Sequence, residues 1–133
     1  MQYKEGFRDL PISMNPFEPE RCEPNFWLSC MLINRDAMCK QIRGEIGVTY
    51  VSESGKSCPT EILEVLNQYN AEGRPIWKPM HMQPVYKECE FVSATGNDVG
   101  ADIFHRGLCL PSDIKMTRDQ QQQIIELIKR CFD

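Results

Sequence analysis

Apolar residues recur at helical spacing in several parts of this 133-residue chain. Tyr3, Phe7 and Leu10 fall at i, i+4 and i+7, which reads as the last turns of a helix over residues 1–9. That helix shows no beginning, so the chain reads as starting inside an element. A second helix is predicted at about residues 59–70. Ser57 or Cys58 would cap it, Pro59 and Glu61 suit its first turn, and Ile62, Leu63, Leu66 and Tyr69 form an apolar face that Gly73 would end. A short helix, VGADIFHR at 99–106, is expected between an Asp98 cap and a Gly107 stop. Thr117 and Gln120 form a capping box for a last helix over 118–132, with Ile124, Ile128 and Cys131 or Phe132 facing inward.

Strand signals are fewer. FWLSCMLI at 26–33 is apolar on both faces and rich in β-formers, which fits a strand covered on both sides. Ile12–Met14 and LCLP at 108–111 read as two short strands. The proline-rich stretch LPISMNPFEPERCEPN around Ile12–Met14 otherwise reads as loop. NRDAMCKQIRGEI at 34–46 is expected to be a loop turning into a short helix, and TYVSESGKS to be polar and turn-like. The order implies an α/β domain of the α+β type. It would have a small sheet with helices packed mainly on one face.

One stretch fits neither period. RPIWKPMHMQP, residues 74–84, carries prolines at 75, 79 and 84. Each removes a backbone donor and pushes the preceding residue into extended conformation. The segment is therefore expected to be stiff and extended, with interrupted ladder pairing. Arg74 and Lys78 offer positive charge, Trp77 a flat face, and His81 and Gln83 neutral hydrogen bonding, which suits a phosphorylated, ring-containing ligand. The same residues also suit a simple connection whose tryptophan fills core. His105, at a helix end, reads as a surface residue or dipole partner.

Composition narrows the classes. The chain is 41% hydrophobic and 26% charged, consistent with one globular domain over residues 1–133. A net charge of −4 argues against a general nucleic-acid binder. The seven cysteines form no Cys-x-x-Cys pair and accompany only two histidines. A zinc site is therefore not expected, and the reading is reduced thiols in a cytoplasmic protein. No secretory signal and no membrane-spanning apolar run are expected. No nucleophile elbow, P-loop or dinucleotide fingerprint occurs, and no cysteine stands in a suggestive nucleophilic context, so no catalytic residue is assigned.

RPIWKPMHMQPVY, followed by IFHRGLCLPSD and MTRDQQQQIIELIKRCF, resembles the C-terminal part of the DegT/DnrJ/StrS aminotransferases. NFWLSCMLI resembles the N-x-W-L strand of that family's small domain. Asp113 stands where the family usually has glycine, which is expected to alter the loop after the strand. The resemblance implies a small, largely antiparallel sheet with helices mainly on one face, like the C-terminal domain of fold-type I aminotransferases. It also implies pyridoxal phosphate chemistry on nucleotide-linked keto-sugars, feeding products such as surface polysaccharides. No lysine here lies in the context of the family's Schiff-base lysine, and Lys78 belongs to the WKP motif. The large cofactor-binding domain is thus expected to lie outside this chain, and no cofactor is expected on the chain alone. By position in the motif, His81 is expected to face the substrate, with Trp77, Arg74 and Lys78 shaping or anchoring the pocket and Asn25 a further candidate. The implied partner is an N-terminal cofactor-binding half or a full-length homologue. Self-association through an exposed apolar patch is also expected. The alternative is a stand-alone nucleotide-sugar-binding or regulatory module pairing with such a homologue.

Overall fold

The computed structural model describes residues 2–44 and 47–133. Four antiparallel strands form the main sheet, in the order β1 (Ile12–Met14), β2 (Ser29–Ile33), β6 (Gly107–Leu110), β5 (Arg74–Pro75). Strand alternation sorts its side chains. Met31, Ile33, Leu108 and Leu110 enter the core, while Leu32 lies on the other side, next to Gly107. Over the core face lie α1 (Gln2–Gly6), α2 (Pro59–Gln68) and α4 (Arg118–Arg130), which contribute Tyr3, Ile62, Leu66, Ile124, Ile125, Leu127 and Ile128, together with Phe7 just after α1. α3 (Val99–Arg106) packs on β2 and β6, and its buried Phe104 lies outside that cluster. The expected α+β architecture is the one observed.

The helix ends follow local chemistry. Thr117 accepts the Gln120 N–H at 3.2 Å while the Gln120 side chain accepts the Thr117 N–H at 2.9 Å, completing the predicted box. α4 ends at Arg130 rather than 132. α2 ends at Gln68, before the Gly73 stop that the sequence suggested, because Asn70 takes a left-handed φ of +56°. Gly73 serves packing instead: a Cβ there would lie 2.7 Å from Leu63. Cys58 occupies the α2 cap position without a side-chain cap bond, and the Ser57 hydroxyl bonds Glu61.

Two local expectations fail. The helix expected within 34–46 and the turn expected from Thr49 give way to paired strands: after one 3₁₀ turn at Arg35–Ala37, β3 (Lys40–Arg43) pairs antiparallel to β4 (Val48–Val51). Both strands alternate between half-buried and exposed positions, so their apolar content is thin and the period-2 signal weak. Ile42, inside the segment expected to turn helical, is exposed on β3, and Ile46 of that segment lies outside the described residues. The 26–33 strand is shorter than expected. Phe26 has φ of +51°, a conformation that bulky residues rarely adopt, so pairing starts only at Ser29.

Candidate functional site

β5 is only two residues long, and prolines explain why. Arg74 and Pro75 pair with Cys109 and Leu108, after which the chain leaves the sheet. Ile76 packs where a side chain at Gly107 would sit: a Cβ on Gly107 would be 2.8 Å from Ile76 Cγ1 and 2.6 Å from the Ile103 carbonyl. The predicted extended conformation stops at Pro79. Residues 80–82 and 84–86 wind into two single 3₁₀ turns, correcting the expectation of a wholly extended segment. Proline's φ suits the first position of such a turn as well as an extended chain. Gln83, before Pro84, is extended as expected, and its side chain closes a turn by donating to the Lys78 carbonyl at 3.1 Å.

The segment is also fastened to the start of α3. Gly100 sits against Pro79, where a Cβ would be 3.3 Å from the proline ring. Asp98 accepts the Ala101 N–H at 2.8 Å, the cap read from the sequence, and its other oxygen lies 2.6 Å from His81 Nε2. The Ala101 N–H, followed by the His81 bond, holds the Asp98 carboxyl below its ordinary range. An ionised carboxylate only accepts, so Nε2 carries the hydrogen and donates it, leaving Nδ1 as the second ring nitrogen. The His81 ring also stacks on Phe91 with centroids 4.0 Å apart.

The five candidate residues do not form one cluster. Trp77 is 65% exposed and lies beside Trp27, itself 73% exposed, with ring centroids 6.3 Å apart. Trp77 is therefore not core filling. Asn25 acts on this pair indirectly, through an Oδ1 that accepts the Trp27 backbone N–H at 3.1 Å. Lys78 is exposed. Arg74 is engaged with Glu72 at 2.7 Å on the exposed surface, and attraction to its charge works against the burial that raises the Cys109 thiol. His105 keeps part of its surface in solvent, and the partial burial of its ring, followed by the Arg43 charge, lowers its pKa. Around these residues Met80, Val85, Phe91, Val92 and Val99 are exposed as well.

Asp98, Phe91 and Trp27 were missing from the sequence-based set. Asp98 was legible only as a cap, because its link to His81 spans 17 residues. Trp27 read as part of a strand until the Phe26 turn set it free. A broad cleft of about 1560 Å³ lies elsewhere, between α1, β1 and the 15–28 loop, with Arg8, Met14, Phe17, Phe26 and Arg118 on its walls and none of the five candidates.

Pyridoxal phosphate chemistry requires an enclosed lysine amine to hold the cofactor. Lys4, Lys40, Lys78, Lys87 and Lys115 are exposed. Lys56 and Lys129 are half-buried and pair with Glu53 and Glu126 at 2.6 and 3.6 Å. The described residues therefore do not compose a seat for this cofactor. Among them, no three His, Cys, Asp or Glu side chains are grouped to hold a metal. No described helix is long and apolar enough to cross a membrane.

Asp113, in place of the glycine expected after the strand, makes a local turn by accepting the Lys115 N–H at 2.7 Å. The rest of the chain compares closely with known proteins. It is 42% identical over 86 residues to EpsN of Bacillus subtilis (strain 168), provisionally named a pyridoxal phosphate-dependent aminotransferase. That match takes in 63% of this chain and 22% of EpsN. Among solved structures, Spr1654 of Streptococcus pneumoniae, provisionally named a sugar aminotransferase, superposes in its PMP form with a TM-score of 0.69 at 18% identity. The superposition covers 98% of this chain and 28% of that one. Helicobacter pylori PseC, an aminotransferase in pseudoaminic acid biosynthesis, gives 0.66 at 17% identity, over 98% and 30%. The chain thus spans less than a third of these relatives. The family model described as DegT/DnrJ/EryC1/StrS aminotransferase matches residues 2–129, and the chain belongs to that family.

Proposed function

We propose that this chain supplies the substrate-facing small domain of an aminotransferase acting on nucleotide-linked keto-sugars, and that the cofactor sits on a partnering large domain. The observation that carries this reading is the exposed Trp27–Trp77 pair, with the braced His81 four residues further along the same segment. Two exposed indoles, with centroids 6.3 Å apart and planes tilted by 34°, offer apolar ring surface for a base or sugar ring. His81, held by Asp98 and Phe91, presents Nδ1, which in the neutral ring accepts a hydrogen bond from a sugar hydroxyl. Lys78, next to Trp77, supplies mobile positive charge for phosphate. Arg74 must exchange its Glu72 pairing before it can do the same. The names of Spr1654, a sugar aminotransferase, and PseC, an aminotransferase in pseudoaminic acid biosynthesis, support a sugar substrate, and the exposed or ion-paired lysines favour an amine anchor on another polypeptide or segment.

These roles are those of binding and orientation. When bound, pyridoxal phosphate supplies the electron sink for moving the amino group. The residues described here hold the substrate against it and exclude water from one wall. The exposed apolar residues between 77 and 99 form the surface that such a partner would cover.

The reading has a direct optical test. The chain has two tryptophans, and they are this pair, so all indole emission reports on the proposed face. A nucleoside diphosphate hexose is expected to quench that emission saturably, and free hexose is not. His81→Asn should weaken the response several-fold. Unchanged emission across the titration would refute the assignment of this face to a nucleotide sugar.

A further inference from the structure

Among the described cysteines, two stand apart from the rest. Cys30 on β2 and Cys109 on β6 are directly opposed in the sheet, and their sulfurs are 3.7 Å apart. Cys22 and Cys89 are exposed, and Cys39 and Cys58 are sealed in the interior.

The backbone shows which kind of cross-strand pair this is. Cys30 donates its N–H to Asn15 Oδ1 at 3.1 Å and accepts the Asn15 N–H at 2.7 Å. In a strand the N–H and C=O of one residue point to the same side, so both of these point away from β6. Cys30 and Cys109 are therefore a non-hydrogen-bonded pair, the closer of the two antiparallel classes, with Cα atoms about 4.5 Å apart. A disulfide accepts Cα separations of roughly 4.4–6.8 Å and needs its sulfurs at about 2.05 Å. A pair of this class meets the first condition, and side-chain rotation is what must bring the sulfurs from 3.7 Å to bonding distance.

We propose that Cys30 and Cys109 form a redox-active dithiol that a low-molecular-weight disulfide oxidises to a cross-strand disulfide at the centre of the sheet. Cys30 is half-buried and Cys109 only 4% exposed, so the incoming disulfide meets Cys30 first. The Cys30 thiol loses its proton, and its sulfur attacks one sulfur of the reagent. The reagent's S–S bond breaks, one thiolate leaves and takes up a proton, and a mixed disulfide remains on Cys30. Cys109 then loses its proton and attacks the Cys30 sulfur, expelling the second thiolate. Two protein thiols are oxidised, and one reagent disulfide is reduced to two thiols. Burial pushes the Cys109 thiol up to about 12, with neighbouring Cys30 adding to the rise and Arg74 opposing it. The second step therefore quickens as pH rises.

The test uses the full chain with Cys22 and Cys89 replaced by serine, so that exposed thiols do not compete. The folded protein is incubated with oxidised glutathione, its remaining thiols are alkylated, and its peptides are mapped by mass spectrometry. The proposal predicts a Cys30–Cys109 cross-linked peptide that thiol reductant removes. With Cys109→Ser added, it predicts glutathione retained on Cys30 instead. Circular dichroism of each variant establishes that the protein mapped is folded. Folded protein that leaves both thiols alkylated, or that links either to Cys39, Cys58 or Cys131, would overturn it.

Discussion

Replacing Gly107 by alanine tests the junction on which the candidate site rests. A methyl group there would lie 2.6 Å from the Ile103 carbonyl oxygen and 2.8 Å from Ile76 Cγ1. The first neighbour is helix backbone and the second is packed beside Trp77, so neither moves freely. Forcing an added carbon into such a space costs on the order of 1–3 kcal/mol. Unfolding entropy of about 2.1 cal/mol/K per residue, over 133 residues, comes to roughly 0.28 kcal/mol/K. The melting midpoint should therefore fall by roughly 4–11 °C. Gly47 is the control, because nothing lies within 4 Å of a Cβ there and its backbone is outside the left-handed region. Gly47→Ala should leave the midpoint unchanged or raise stability by up to ~1 kcal/mol. Thermal melts followed by circular dichroism compare the two. A Gly107→Ala midpoint within about 1 °C of the parent, less than the smallest shift expected, would refute the packing described at this junction.

Thr117→Ala should cost ~1 kcal/mol in urea denaturation by removing half of the α4 capping box, and Thr117→Ser should restore most of it. Asp102 accepts hydrogen bonds from Arg106 and Arg35, which hold its carboxyl well below the usual carboxylate range. Its contribution is complete above the unfolded value of about 3.9 and is lost as pH falls toward the depressed folded value. Asp102→Asn should therefore lower stability at neutral pH and flatten the acid limb of a stability–pH profile; an unchanged limb would contradict the role of this ion pair. Asp98→Asn keeps a cap-competent side chain but removes the carboxylate that orients His81. Circular dichroism should show α3 retained, while nucleotide-sugar quenching of the tryptophans weakens several-fold. Equal quenching by this variant and the parent would remove Asp98 from the site.

Much of the architecture was legible because its signals are local. The α4 box, the Asp98 cap, the Ile62–Leu66 face of α2 and the apolar face of α4 each lie within a few residues of sequence, whereas Tyr69, read on the α2 face, lies beyond the helix and is exposed. The β3–β4 hairpin was missed because its strands are short and only half-buried, so alternation left little hydrophobic contrast. Asn70 ended α2 early through its own left-handed backbone, which no pattern around Gly73 revealed. In the candidate site, the motif drew attention to Trp77 and His81, but the residues packed against them come from distant positions. Trp27 is 50 residues from Trp77, and it became available only because Phe26 leaves the strand conformation. Arg74 had the right charge in the sequence, yet its geometry ties it to Glu72.

The account depends most on the division between a wall that binds substrate and an amine anchor carried elsewhere. Its most direct measurement mixes this chain with a polypeptide bearing the family's cofactor-binding part, pyridoxal phosphate, an amino donor and a nucleotide-linked keto-sugar, and follows amino-sugar formation. The account predicts product from the mixture and none from this chain with the same small molecules. Turnover by the chain alone, or an assembled and folded mixture that forms no product, would contradict it.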